Sequence, residues 1–217
     1  MLTNLKDWAP QLLAGLTTTV GMTFGAMAIA LVFALLLALG RISASAYIRV
    51  PVTMFVELIR GSPLLLQLFY IYYVFPQFGL KMRPIDAGLC GLGINYGCYL
   101  SEVFRSGIEA VGVGPREASE SLGLSYWQTM RFVILPQAWR IVIPPVGNYF
   151  VALFKDTALV STISIADLMF QGQLIASDTF RYMQIYTIIF VIYVVISIPA
   201  SAGVRWLEHH FNAYRRV

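Results

Sequence analysis

The chemistry available to this chain rests on a few charged side chains set among apolar ones. Lys155 and Asp156 are adjacent and close a run of 14 uncharged residues that starts after Arg140. On a helix, neighbouring residues face about 100° apart, so these two charges make a poor pair with each other. They suit the two ends of a zwitterion, Lys155 meeting an α-carboxylate and Asp156 an α-ammonium, or else they form salt bridges with each other or with neighbouring helices. Thr157 follows them, and Asn148 and Tyr149 lie about two turns below. Measured from Pro145, Asp156 stands about 16 Å up a helix; measured from Pro136, about 30 Å.

A charge at the centre of a membrane span costs roughly 2.5–3.5 kcal/mol on insertion scales. Charges found there are therefore paired or used. Glu57 with Arg60, and Glu102 with Arg105, are each three residues apart and share a helix face. Both are expected to be structural ion pairs that fix geometry or brace an interior gate.

Catalytic and metal-binding arrangements are missing from the pattern. Cys90 and Cys98 sit in an apolar segment at neither a zinc nor a disulfide-framework spacing and are expected to be inert thiols. His209 and His210 are adjacent near the C-terminus and read as an exposed tail. No G-x-S-x-G or H-E-x-x-H motif occurs. No Gly-Lys pair occurs either, so the chain cannot bind ATP through a P-loop. No metal and no cofactor of its own is expected.

The elements that must position these charges follow from composition. Of 217 residues, 58% are hydrophobic and 12% charged, and the mean hydropathy is +0.71. A soluble domain carries about 25% charged residues, so too little polar surface exists to coat a globule. A soluble enzyme, a nucleic-acid-binding domain and a disordered chain are excluded. The pI near 9.1 comes from arginines at the ends of apolar runs rather than from a basic stripe. A bilayer core of about 30 Å needs roughly 20 apolar helical residues. Five spans emerge, at about 11–40, 50–78, 85–108, 144–165 and 185–206. Ala44-Ser45-Ala46 has the form of a cleavage site, but the apolar run before it is about twice a signal h-region; the first span is read as retained. Ala26, Ala30, Ala34 and Ala38, with Gly21 and Gly25, give it a small-residue face for close packing.

Basic residues set the orientation. With the N-terminus outside, the inner set is Arg41, Arg49, Arg105, Arg116, Arg131, Arg140, Arg205, Arg215 and Arg216, nine in all. The outer set is Lys6, Lys81, Arg83 and Arg181, four in all. The N-terminus is therefore expected outside and the C-terminus inside. Residues 107–143 then form a cytoplasmic segment. Ala118, Leu122, Tyr126, Met130 and Ile134 recur in it at a four-residue step, an amphipathic helical stripe. Pro115 suits a first turn, Gly123 interrupts, and Pro136 stops or kinks the helix. Two short helices meeting near Gly123 are expected. With few basic residues in the stripe, a protein partner suits them better than the lipid surface.

Glu117-Ala118-Ser119, then Gly123, then Val133-Ile134-Leu135-Pro136 resembles the E-A-A-x3-G-x9-I-x-L-P loop of ABC-type import permeases. Ser119 and Val133 depart from that pattern while keeping size and character. Glu57-Leu58-Ile59-Arg60-Gly61-Ser62-Pro63-Leu64, Pro144-Pro145 with Gly147-Asn148, and Lys155-Asp156-Thr157-Ala158-Leu159 resemble the polar amino acid branch of that family. The resemblance implies an all-α integral membrane protein, a type I importer transmembrane domain, in the bacterial cytoplasmic (inner) membrane. It implies a second permease subunit, the same or a sister, two cytoplasmic ATPase subunits that bind ATP and Mg, and an extracytoplasmic solute-binding protein. Glu117, Ala118, Ser119, Leu122, Gly123, Leu135 and Pro136 are then the ATPase-coupling loop, and Asn148, Tyr149, Lys155, Asp156 and Thr157 the candidate pathway for a polar L-amino acid. Tyr149 offers no acid to a cationic side chain, which favours a neutral or acidic substrate. Asp167 and Asp178 flank Gly172-Gln173 in an outer loop, either solvated or touching the binding protein. The alternative, a gradient-driven secondary transporter or channel subunit, lacks an internal inverted repeat and a use for the cytoplasmic helix pair.

Overall fold

A computed structural model describes residues 5–213 of the chain, and the described residues form helices without a strand. Arg215 and Arg216, counted above for orientation, lie outside the described residues, and so do the side chains of His209 and His210. Helix α1, Leu5–Arg41, has 37 residues, about 56 Å of helix. Its alanine stripe is fully buried at Ala26, Ala30, Ala34 and Ala38. The stripe packs on α4, Pro84–Glu109, which answers with glycines. A Cβ on Gly93 would lie 2.6 Å from Ile29 Cγ2, and one on Gly97 3.0 Å from Phe33 Cδ1. Small residues on both helices thus set their separation. Gly25 belongs to this contact, against Leu89, while Gly21 meets open space.

The expected span at 50–78 is not one straight helix. Helix α2, Ala46–Arg60, breaks at Gly61-Ser62-Pro63. Helix α3, Leu64–Phe69, then continues through a π-helical turn, Tyr70–Val74, and a 3₁₀ turn, Phe75–Phe78. The two arms are bent by 103°. Pro63 disfavours helix at Ser62 and lacks its own N–H. Gln67 Nε2 occupies the carbonyls freed there, donating to Ile59 O at 2.7 Å and to Ser62 O at 3.1 Å.

Helix α5, Val113–Ser121, and helix α6, Tyr126–Thr129, form a hairpin. A π-helical turn, Met130–Ile134, leads into α7, Leu135–Asp156. Here too the expected bounds shift. Pro136 sits in the first turn of α7, where its missing N–H is tolerated, so the helix starts well before residue 144 and holds Pro144 and Pro145 inside it. It ends at Asp156, in a 3₁₀ stretch, Thr157–Ile163, before α8, Leu168–Thr179, at 52° to the preceding segment. Helix α9, Tyr182–Ala213, packs on α7 and α8.

Residues 6–41 and 182–208 are each long and apolar enough to cross a membrane, and the two bent pairs meet the same test when each is taken together. Helix α4 covers the expected 85–108 yet is more polar, with five glycines, Asn95, Ser101 and Glu102. Its place is the middle of the bundle, between α1, α7, α2 and α3.

Candidate functional site

The α2–α3 break faces α4 and α7 across a cavity of about 450 Å³, within the usual range of small-molecule sites. Arg60 and Ser62 come from the break, Asn95, Tyr96 and Tyr99 from α4, and Tyr149 and Asp156 from α7. Tyr149, Ala152 and Asp156 follow the i, i+3, i+7 pattern and so share one face of α7. Tyr96 Oη donates to Asp156 Oδ2 at 2.8 Å, fixing the carboxylate in the wall. The Tyr149 ring meets Tyr96 edge-on at 6.2 Å and Tyr99 at 6.0 Å. The Arg60 guanidinium lies 5.3 Å over the Tyr99 ring, and Tyr99 Oη donates to Arg60 O at 3.4 Å. Gln67 Oε1 accepts from Asn95 Nδ2 at 3.0 Å, and Gln67 Nε2 donates to Ser62 Oγ at 2.9 Å. The bend is thereby tied to α4.

This arrangement divides the residues singled out on α7. Tyr149 and Asp156 line the cavity. Lys155 and Asn148, seven residues apart on another face, are exposed and do not line it. Thr157 is fully buried, its hydroxyl donating to Phe154 O at 2.7 Å. Of the two charges expected to meet a zwitterion, Asp156 lines the cavity and Lys155 does not; Arg60, assigned above to a structural ion pair, is the cation that shares the cavity with Asp156. Asn95, Tyr96 and Tyr99 escaped the sequence reading. Their signal was available as three polar-tipped side chains, at i, i+1 and i+4, in a glycine-rich run where hydrogen-bonding groups need a use.

Both expected ion pairs are present and are joined. Arg60 Nη1 lies 3.6 Å from Glu57 Oε1. Arg105 pairs with Glu102, and its Nη1 lies 2.7 Å from Glu109 Oε2. Arg41, at the end of α1, connects the two pairs, with Nη1 2.7 Å from Glu102 Oε2 and Nη2 3.7 Å from Glu57 Oε1.

The α5–α6 hairpin presents apolar side chains to solvent. Leu122 is 80% exposed and Trp127 74%, and Glu117, Ala118 and Tyr126 are exposed beside them. Gly123 adopts φ +72°, a left-handed conformation that glycine takes without Cβ strain. Gly123 N donates to Glu120 O and Leu124 N to Ser119 O, closing α5. Ser125 and Gln128 form a capping box that opens α6. Ser119 is buried, its hydroxyl donating to Pro115 O at 2.6 Å. The turn at Gly123 splits the four-residue stripe. Ala118, Leu122 and Tyr126 lie exposed at the tip, whereas Met130 and Ile134 pack with Ile108, Val111 and Ala138 at the base. Leu135 and Pro136 are exposed in the first turn of α7.

Asp167 departs from the solvated-loop expectation. It is fully buried and caps α8, with Oδ1 accepting from Phe170 N at 2.9 Å, while Asp178 is exposed within α8. Cys90 and Cys98 are free thiols. Among the described residues, no cluster of three His, Cys, Asp or Glu side chains could hold a metal ion.

Three relatives bear on this geometry. A probable amino-acid ABC transporter permease protein of Sinorhizobium fredii, y4tG, is 39% identical over 92% of this chain and 86% of its own. The glutamine transport system permease protein GlnP of Escherichia coli is 35% identical over 95% of this chain and 98% of its own. A crystal structure of an amino acid ABC transporter with histidines superposes with a TM-score of 0.91 at 37% identity, over 97% of this chain and 98% of that one. Residues 30–213 match the family described as binding-protein-dependent transport system inner membrane component. With that match over most of its length, the chain, a helical bundle with a cavity lined by Arg60 and Asp156 and an exposed apolar hairpin, belongs to this family.

Proposed function

We propose that the chain is the permease subunit of an ATP-driven importer and passes a polar L-amino acid through the cavity between Arg60 and Asp156. The observation that carries this reading is the placement of one cation and one carboxylate in the wall of a single cavity. Arg60 takes the α-carboxylate, for which its planar fork is suited. Asp156, held by Tyr96, takes the α-ammonium. No other acid lines the cavity among the described residues, so none is left for a cationic side chain. The remaining lining offers Asn95, Ser62 and tyrosine hydroxyls, which suit an uncharged polar side chain. The relation to a glutamine permease supports the same class.

In this reading the N-terminus is outside, the C-terminus inside, and the chain crosses the inner membrane five times with its hairpin in the cytoplasm. Leu122, Tyr126 and Trp127 enter a cleft of a partner ATPase, which binds ATP and Mg, while Gly123 lets the backbone approach closely. A second permease and an extracytoplasmic binding protein complete the assembly.

Vesicles holding the full assembly test the reading. Asp156→Asn is expected to lower ATP-driven uptake about 10- to 100-fold, the loss of one charge-assisted contact, with the ATPase subunits still co-purifying. Undiminished uptake overturns the cavity assignment. Gly123→Val should leave the protein in the membrane but uncouple ATP hydrolysis from uptake; normal coupling removes the docking role. Flux driven by a proton or sodium gradient through this chain alone would favour the secondary transporter.

A further inference from the structure

We infer that Arg41 is a positioning residue that links occupancy of the cavity to the α4 end beneath the hairpin; this rests on the reading of the cavity as the amino acid site. Arg41 ends α1, and its side chain is 10% exposed between carboxylates from two other helices. Its Nη1 lies 2.7 Å from Glu102 Oε2 of α4 but outside hydrogen-bond geometry, and its Nη2 lies 3.7 Å from Glu57 Oε1 of α2. Glu57 Oε1 is shared with Arg60 at 3.6 Å. Both Glu57 contacts are too long for hydrogen bonds, so Glu57 sits between two arginines and is committed to neither.

Arg60, Glu57, Arg41, Glu102, Arg105 and Glu109 form one continuous series of ion pairs. At one end Arg60 lines the cavity. At the other, Glu109 is the last residue of α4, shortly before α5 begins at Val113. Two further contacts meet there. Arg116 Nη2 of α5 donates to Ile108 O at 3.2 Å. Ile42, beside Arg41, packs on the cluster of Ile108, Val111, Met130, Ile134 and Ala138 at the hairpin base.

An α-carboxylate arriving at Arg60 competes with Glu57 for the guanidinium. Glu57 then turns to Arg41, beside Glu102, and the charge balance at the ends of α1 and α4 changes while the α2–α3 corner keeps its shape. The two arrangements differ in which arginine holds Glu57, so a carboxylate in the cavity has a stated differential effect on them. Arginine is needed because its fork reaches two carboxylates at once; a lysine ammonium is a point charge that serves one.

The test uses the full assembly in vesicles, with binding protein, ATPase subunits and an equimolar mixture of the twenty common L-amino acids as probe. Arg41→Lys is expected to keep basal ATP hydrolysis and to hold the half-saturating mixture concentration within about 2-fold. It should lower maximal uptake about 10-fold and remove the amino-acid-stimulated increment in hydrolysis. Glu57→Gln, at a more exposed position, should remove the same increment, and the double variant should be no worse than the worse single one. Retained stimulation in either single variant overturns the inference, as does a rise in half-saturation with maximal uptake unchanged. Asp156→Asn separates the two failures. If it abolishes uptake while Arg41→Lys keeps stimulation, only the link is lost; if it leaves uptake intact, the cavity reading falls and takes the link with it.

Discussion

Helices α4 and α9 are both long enough to cross a bilayer, yet they use their residues in opposite ways. The most apolar stretch of α9 is only 11% buried, with Met183, Phe190, Val195 and Ile198 exposed. Helix α4 hides glycines, Asn95 and Tyr96 at the centre of the bundle. In a chain surrounded by lipid, apolar character marks the outside, and polarity with small residues marks the functional interior. The helix that least resembles a membrane span is the one that carries three residues of the cavity wall.

Substitutions can break or sharpen this contrast. The largest effect is expected from Gly93→Leu. Even a Cβ there lies 2.6 Å from Ile29 Cγ2 and 2.9 Å from Ile29 Cβ, with Ala26 O at 3.5 Å, so α1 and α4 must separate. Overpacking of this kind costs about 1–3 kcal/mol or more, and folded protein recovered in detergent should fall sharply. Recovery equal to the unaltered chain would mean that the α1–α4 contact is loose. Tyr96→Phe should act more mildly. It removes the hydroxyl that donates to Asp156 while keeping the ring, which predicts about a 10-fold loss of uptake at normal protein yield. An unchanged uptake rate would show that Asp156 needs no positioning. Gly203→Leu in α9 should do least. A Cβ there meets open space, and replacing glycine inside a helix gains about 0.5–1 kcal/mol in propensity. Reduced yield or uptake would reveal a surface on α9 that another subunit covers.

The same contrast explains what was legible in the sequence. Helices α1 and α9 follow the charge-free runs closely because lipid-facing and close-packed surfaces leave a compositional trace. The hairpin was legible from the four-residue stripe, Pro115 and Gly123, whose backbone requirements are local. The cavity was only half legible. Lys155 and Asp156 drew attention by adjacency, but one residue of helix turns a side chain by about 100°, which puts them on different faces. Arg60 joins Asp156 through the packing of α2 and α3 against α4 and α7, and nothing local to residues 57–64 records that. The 103° bend was hidden for a similar reason: Gly61 and Pro63 announce an interruption, while its angle is set by distant partners such as Asn95. Asp167 looked like a loop acid because its burial depends on α8 folding back against α1.

Gln67 joins the Ile59 carbonyl of α2, the carbonyl and hydroxyl of Ser62 and the Asn95 amide in one set of bonds. An elbow fastened on both arms and to a third helix is a bracket rather than a hinge. When the transporter alternates between its two openings, α2, α3 and α4 should therefore travel together, and the wall around Ser62 should keep its shape, while the opposite wall on α7 can move only by breaking the Tyr96–Asp156 hydrogen bond. Discrimination between substrates and the stroke that carries them would then reside in different parts of the cavity. Mutation could retune the cargo by changing bracket residues without having to rebuild the stroke.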